Sequence, residues 1–169
     1  MSLMKKPILV AVAVLALGAW AAQGQIVSSN APIRSIAKVD SVQYMFPAQV
    51  SVTVGKPSAV ALHFRIAQGL HINSHTPRDE YLIPTAFSIP DGEGVRLDAA
   101  TYPAGTVITL PADPTTRLSV YTGEFTIQVR VVATAGDHLV EGKLRYQACD
   151  QNQCLPPKMI TVPIEVIAR

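Results

Sequence analysis

A period of two in the apolar residues, repeated in short runs and broken each time by turn formers, is the feature that most constrains this chain. "QVSVTV" (49–54) alternates strictly. "AVALHFRI" (59–66), "FTIQVRVVA" (125–133), "HLVEGKLRYQA" (138–148) and "MITVPIEVIA" (159–168) join that period to valine, isoleucine, threonine and aromatics. Successive side chains of a strand point to opposite faces, so each run offers one face to a core and one to water. "LHIN" (70–73), "TAFSI" (85–89), "GVRLDAATY" (94–102) and "TVITL" (106–110) give weaker signals of the same kind. Between the runs stand "VGKPS", "AQG", "IPDGEG", "YPAG", "LPADPTT" and "ATAGD", drawing on 13 prolines and 10 glycines. No window of helical length beyond the amino-terminal segment keeps a 3.6-residue period. The pattern predicts an all-β, immunoglobulin-like antiparallel β-sandwich of roughly seven to nine strands, with a barrel as second choice. Neither an internal repeat nor a low-complexity segment interrupts it.

The amino-terminal segment has a different character. "MSLMKK" is basic, "PILVAVAVLALGAWAA" is apolar and uncharged, and "AAQGQ" supplies the small residues a signal peptidase prefers. A cut after Gly24, or after Ala21, removes it as a secretory signal, and no cysteine near the cut supports a lipid anchor. The apolar run falls short of the roughly 20 residues a membrane span needs, and no second one follows. The expected organisation is a signal peptide at 1–24, a loosely held lead-in at 25–43 without sustained periodicity, and one β-domain at 44–169. About 145 residues remain after cleavage, enough for a single core. Loss of Lys5 and Lys6 brings 14 basic residues down to 12, matching the 12 acidic ones. A neutral chain lacks the concentrated positive patch that nucleic acid or an anionic membrane surface requires.

An exported chain with two cysteines is expected to hold them as a disulfide. Cys149 and Cys154 lie in "RYQACDQNQCLPPKM" (145–159), between two strand runs that pair readily as a hairpin. Facing positions of such a pair lie about 4.5–5.5 Å apart, within bridging distance. As a staple the bond is poorly placed, since a closed loop of about six residues contributes roughly 2 kcal/mol where one near 100 residues contributes about 4.7. "DQNQ" is wholly polar, so the connection is expected in solvent with at least one sulfur reachable. Pro156 and Pro157 fix φ and withhold two amide donors, leaving a stiff rim without regular pairing. Asp150 disfavours a thiolate at Cys149, whereas Arg145 and Lys158 favour one. Three readings stay open from these residues: an exchangeable disulfide, a passive brace and a copper site, the last requiring a pair kept reduced outside the cytoplasm. His71 and His75 do not converge on one face of a strand and read as surface polar residues, as do His63 and His138. Tyr121 and Tyr146 read first as core or rim aromatics, Tyr146 being the better functional candidate because it precedes Cys149 by three residues. The acidic "RDE" (78–80) reads as a solvated turn. Serine–histidine–aspartate, phosphate-loop and HExxH patterns are missing, and neither a cofactor nor a metal is expected.

The same residues carry a resemblance. "LRYQACDQNQCLPPKMITVPIEV" resembles the signature of the amino-terminal periplasmic domain of the DsbD thiol:disulfide interchange family: Tyr146, Gln147, Ala148 and Cys149, a short polar loop, then Cys154, Leu155, Pro156 and Pro157. "LHFRIAQGLHINSHTP", "YPAG" and "LSVYTGEFTIQVRV" are similar to weaker landmarks, so the likeness runs from about Val50 to Val166. It implies an immunoglobulin-like domain that carries electrons in its cysteine pair. Such a domain accepts them from a thioredoxin-like domain and passes them to thioredoxin-fold clients. Carried over, Cys154 forms the mixed disulfide and Cys149 resolves it. Gln147, Asp150, Leu155 and the two prolines are expected around them. Better-known members have one more residue between the cysteines, and a loop with acidic residues and an aromatic over the disulfide. The corresponding stretch here, "ADPTTRLSVY" (112–121), offers Asp113 and Tyr121 but places Pro114 where that aromatic is expected. The resemblance extends to neither the membrane-embedded conduit nor the carboxy-terminal thioredoxin-like domain, so the expected donor is a thioredoxin-like protein or a membrane-embedded reductase on another chain. The competing expectation is a binding or adaptor module in which the disulfide is a local brace.

Overall fold

The computed structural model describes residues 40–45, 48–92, 94–111 and 113–169; the expected signal and most of the expected lead-in lie outside them. The described residues form twelve strands and no helix. In chain order these are β1 (Val42–Tyr44), β2 (Ala48–Val52), β3 (Ser58–Ile66), β4 (His71–Asn73), β5 (Ala86–Ser88) and β6 (Val95–Thr101). They are followed by β7 (Thr106–Leu110), β8 (Asp113–Tyr121), β9 (Glu124–Ala133), β10 (Gly136–Tyr146), β11 (Ala148–Cys149) and β12 (Lys158–Ala168).

Two four-stranded sheets, ordered β1-β3-β9-β6 and β2-β12-β10-β5, pack as the sandwich. Their inner faces follow from the alternation. Leu62 and Phe64 of β3, Ile127 and Val129 of β9, Val140 and Leu144 of β10, and Ile164 and Val166 of β12 belong to one buried cluster. Each such side chain contributes about 1.5–3 kcal/mol through removal from water, which makes this face the main source of stability. All strand pairs are antiparallel except β2 with β12. That parallel pairing starts at Ile164, so Pro163, which lacks an amide donor, sits just before it, where only β10 lies alongside.

A third sheet, ordered β11-β4-β8-β7, stands beside this sandwich and carries the cysteines. The strand count exceeds the seven to nine expected because several strands are very short. Val42 and Gln43, read as lead-in, already pair with Ile66 and Arg65. Their pattern is too short to register as periodic, yet Val42 is buried in the core. The expected hairpin between the fourth and fifth strong runs is present, in unbroken register from Gly136↔Ala168 to Tyr146↔Lys158. It stops two residues earlier than the sequence pattern suggested. Ala148 and Cys149 leave it to pair with Ile72 and His71 of β4. Both are buried, a break in alternation that a change of sheet requires.

Asp113–Tyr121, from the stretch that corresponds to the family's covering loop, forms one arm of a hairpin with β7. Leu110 pairs with Asp113, and the register then shifts before Ile108 meets Leu118. Pro114, unable to donate to a ladder, falls in that irregular part. No helix among the described residues is long and apolar enough to cross a membrane.

Candidate functional site

The site begins where β10 ends. The Gln147 carbonyl accepts from the Asn73 amide at 3.4 Å, passing the chain from the second sheet to the third. Its side chain then works in both directions: Oε1 accepts from Asn73 Nδ2 at 3.4 Å, and Nε2 donates to the Leu155 carbonyl at 3.2 Å. The Leu155 amide donates to the Ala148 carbonyl at 2.8 Å. Leu155, held at both its amide and its carbonyl and packed against the core, fixes the residue before it, Cys154.

Between the cysteines the chain makes a tight polar turn. Asp150 N–H donates to the Gln153 carbonyl at 2.9 Å, and Asp150 Oδ1 accepts from the amides of Asn152 and Gln153 at 2.7 and 2.8 Å. Aspartate at the first position of a turn characteristically closes it in this way. The two amides stabilise the ionised carboxylate and hold its pKa below the usual range. Asp150 therefore spends its charge on the turn, which softens the repulsion of a neighbouring thiolate expected from sequence. Arg145 pairs with Met159 and Tyr146 with Lys158 in the β10–β12 ladder, so neither expected cation belongs to the turn.

Cys149 and Cys154 face each other as an antiparallel bridge and are joined, with Cα atoms 3.9 Å apart. The two ends of the bond differ in environment. Cys149 is 3% exposed, whereas Cys154 lies in the exposed run that starts at Gln151. Pro156 and Pro157 are also exposed and form the rim between Leu155 and the start of β12.

A cavity of about 200 Å3 opens against the bond. Its apolar wall comes from Leu82, Leu110 and Leu118, and its polar wall includes His71 and Asp150. These leucines belong to three separate segments, so the apolar wall beside the cysteines is assembled by the fold. A search for one aromatic within 112–121 misses it. His71 is the other residue the sequence misjudged. Read as a surface polar group, it is 6% exposed and stands directly across the β4–β11 ladder from Cys149. Burial pushes its pKa below the ordinary value, and the Asp150 charge opposes that shift. The signal available was its neighbour Ile72: a histidine one residue from a core position, on a short strand, is easily buried when both faces are covered.

The remaining candidates are not drawn together. Tyr146 is fully buried in the main core, where desolvation raises its pKa and its hydroxyl finds no hydrogen-bond partner among the described residues. Tyr121 is buried and stacked on Phe125; its hydroxyl donates to the Pro103 carbonyl at 3.0 Å and accepts from the His75 amide at 3.1 Å. His75 in turn stacks on Tyr102 at 3.7 Å and bonds the Thr85 carbonyl through Nδ1 at 2.9 Å. Burial and these contacts give both tyrosines and His75 structural employment. Asp113 is fully exposed at the start of β8 and organises its own turn, with Oδ1 accepting from the Thr115 hydroxyl at 2.7 Å and from the Thr115 and Thr116 amides. Among the described residues no group of three or more histidine, cysteine or acidic side chains is arranged to hold a metal ion.

The model of the family described as "Thiol:disulfide interchange protein DsbD, N-terminal" matches residues 41–165, a span that takes in the cysteine turn and every strand except the last three residues of β12. The chain belongs to the DsbD amino-terminal domain family. Among solved structures, a crystal structure of the Neisseria meningitidis DsbD amino-terminal domain in the reduced form is similar at 18% identity. That match covers 66% of this chain and 79% of that one, with a TM-score of 0.45. The comparison with curated proteins returned no match. DsbD amino-terminal domains are periplasmic. Family membership together with the bonded pair places the chain in the class of thiol–disulfide exchange modules.

Proposed function

We propose that this chain is a periplasmic dithiol/disulfide electron carrier that exchanges reducing equivalents with thioredoxin-fold proteins through Cys149 and Cys154. Residues 1–24 serve as its cleaved export signal, and the β-domain is the working part. The observation that carries the reading is the asymmetry of the bond: Cys154 is exposed beside a stiff proline rim, and Cys149 is buried behind it. An incoming thiolate reaches Cys154, forms the mixed disulfide there and releases Cys149. In the opposite direction Cys154 attacks a client disulfide, and Cys149 then displaces the client by attacking the Cys154 sulfur. Gln147, Asp150 and Leu155 hold the turn in place, and Pro156 and Pro157 offer the partner a surface that no strand occupies. Reducing equivalents come from a thioredoxin-like protein or domain, or from a membrane-embedded reductase.

The test is covalent trapping. Cys149→Ala, exported to the periplasm, is expected to accumulate mixed disulfides with thioredoxin-fold proteins through Cys154, while Cys154→Ala accumulates few or none. If neither variant captures a partner, and the wild-type pair resists alkylation after mild reductant, the chain is an adaptor module with a local brace.

A further inference from the structure

Resolution of a mixed disulfide requires a nucleophilic Cys149, and this is the sulfur the fold makes hardest to ionise. A thiol at a position 3% exposed has little water to take its proton or to solvate the thiolate. Among the described residues that line the cavity at the bond, His71 is the group placed to receive that proton. His71 and Cys149 are Cα partners across the antiparallel β4–β11 ladder, so their side chains stand on the same face with Cβ atoms about 4.5–5.5 Å apart. Both line the same small cavity, which also reaches Cys154.

Building on the carrier reading, we propose that His71 is the proton acceptor for Cys149 in the step that resolves the mixed disulfide. The oxidant is the disulfide of a thioredoxin-fold partner, already opened by Cys154. Neutral His71 takes the Cys149 proton, and the thiolate attacks the Cys154 sulfur. The Cys149–Cys154 bond forms as the bond between Cys154 and the partner sulfur breaks. The electron pair leaves on the partner sulfur, and the imidazolium returns the proton to it. The chain's two thiols end as a disulfide and the partner's disulfide ends as two thiols. Reduction of this chain by a donor runs through the same steps in reverse.

The electrostatics suit the task. Among the residues that β4, β7, β8, β11, the turn and Leu82 contribute to the cavity, the titratable ones are His71, the two cysteines and Asp150. The charged groups on the flanking segments, Asp113 and Arg117 on β8, Arg78, Asp79 and Glu80 ahead of Leu82, Arg145 on β10 and Lys158 on β12, do not line it. Desolvation keeps His71 neutral near pH 7, ready to accept a proton, and the ionised Asp150 interacts favourably with the imidazolium once formed. Asp150 itself is a poor acceptor, because two amides already stabilise its charge. Nucleophile, base and a nearby carboxylate are thus brought together from two strands and a turn.

Ellman's reagent isolates the step without any protein partner. The reduced chain forms a thionitrobenzoate adduct at exposed Cys154, and release of the second thionitrobenzoate reports attack by Cys149. In the wild type the rate is expected to rise through the imidazole range and level off. His71→Gln is expected to be about 100-fold slower at pH 7, with its rise displaced to or above the ordinary thiol value of about 8.5. Equal rates and superimposable profiles for the two proteins would overturn the proposal. Should His71→Gln fail to fold, the wild-type profile decides: a limb in the imidazole range supports the role and a single limb in the thiol range refutes it. Failure of the carrier reading looks different, since Cys149→Ala then captures no partner whatever the Ellman profile shows.

Discussion

Asp113 and Asp150 perform the same local task at two turns, each using one carboxylate oxygen to collect backbone amides that no ladder satisfies. Hydrogen bonds to the charged form lower a carboxyl pKa, and for Asp113 the Thr115 and Thr116 donors take it to about 2. Its contribution to stability is therefore complete above the unfolded value near 3.9, and is lost as pH falls from there toward about 2. A carbon-detected NMR titration should place the Asp113 midpoint well below that of an ordinary aspartate; a midpoint near 4 means the turn does not form as described. For Asp150 the corresponding outcome is kinetic: Asp150→Ala, which removes the acceptor, should speed amide hydrogen exchange at Asn152 and Gln153, and unchanged exchange contradicts the Asx closure. Individual side chains were only partly legible in the sequence. The cysteines announced themselves by type and spacing, whereas His71 did not, because its importance comes from a ladder partner 78 positions later that only the fold supplies.

At the level of elements, alternation located the long strands well because each has one buried and one wet face, and β3, β9, β10 and β12 keep that pattern through most of their length. It failed where that condition lapses. β4 and β11 are buried on both faces, and the first half of β8 is exposed on both, so none of them shows a period of two. The site lies among these irregular elements, which is why its cysteines were legible and its walls were not. Long strands also carry constraints that composition hides. Gly142 looks like a weak point in β10, yet a Cβ there would meet the Phe87 ring at 2.7 Å and the Val162 carbonyl at 3.2 Å. Phe87 occupies the space the glycine leaves, on the facing strand β5. Gly142→Ala should cost about 1–3 kcal/mol in urea unfolding through overpacking, and a stabilised variant would show that β5 does not cover β10 there.

For the molecule as a whole, stability and chemistry are separated. The apolar cluster joins the two large sheets and reaches the third only at Ile72, Tyr121 and Ala148, and the disulfide closes a five-residue separation at the edge of that third sheet. A link that short constrains the unfolded chain little, about 2 kcal/mol, so reduction should lower the urea midpoint by about 1 M and leave the domain folded. A domain that unfolds on reduction has a brace there, not a working bond. This division lets the pair cycle between oxidation states without endangering the fold. The central claim, that the Cys149–Cys154 bond is built to be opened by other proteins, is tested most directly by its reduction potential, measured by equilibrating the mature domain with defined thiol–disulfide buffers and alkylating what is reduced. The account predicts a value above about −300 mV, within range of thioredoxin-fold partners, and a value well below that limit contradicts it.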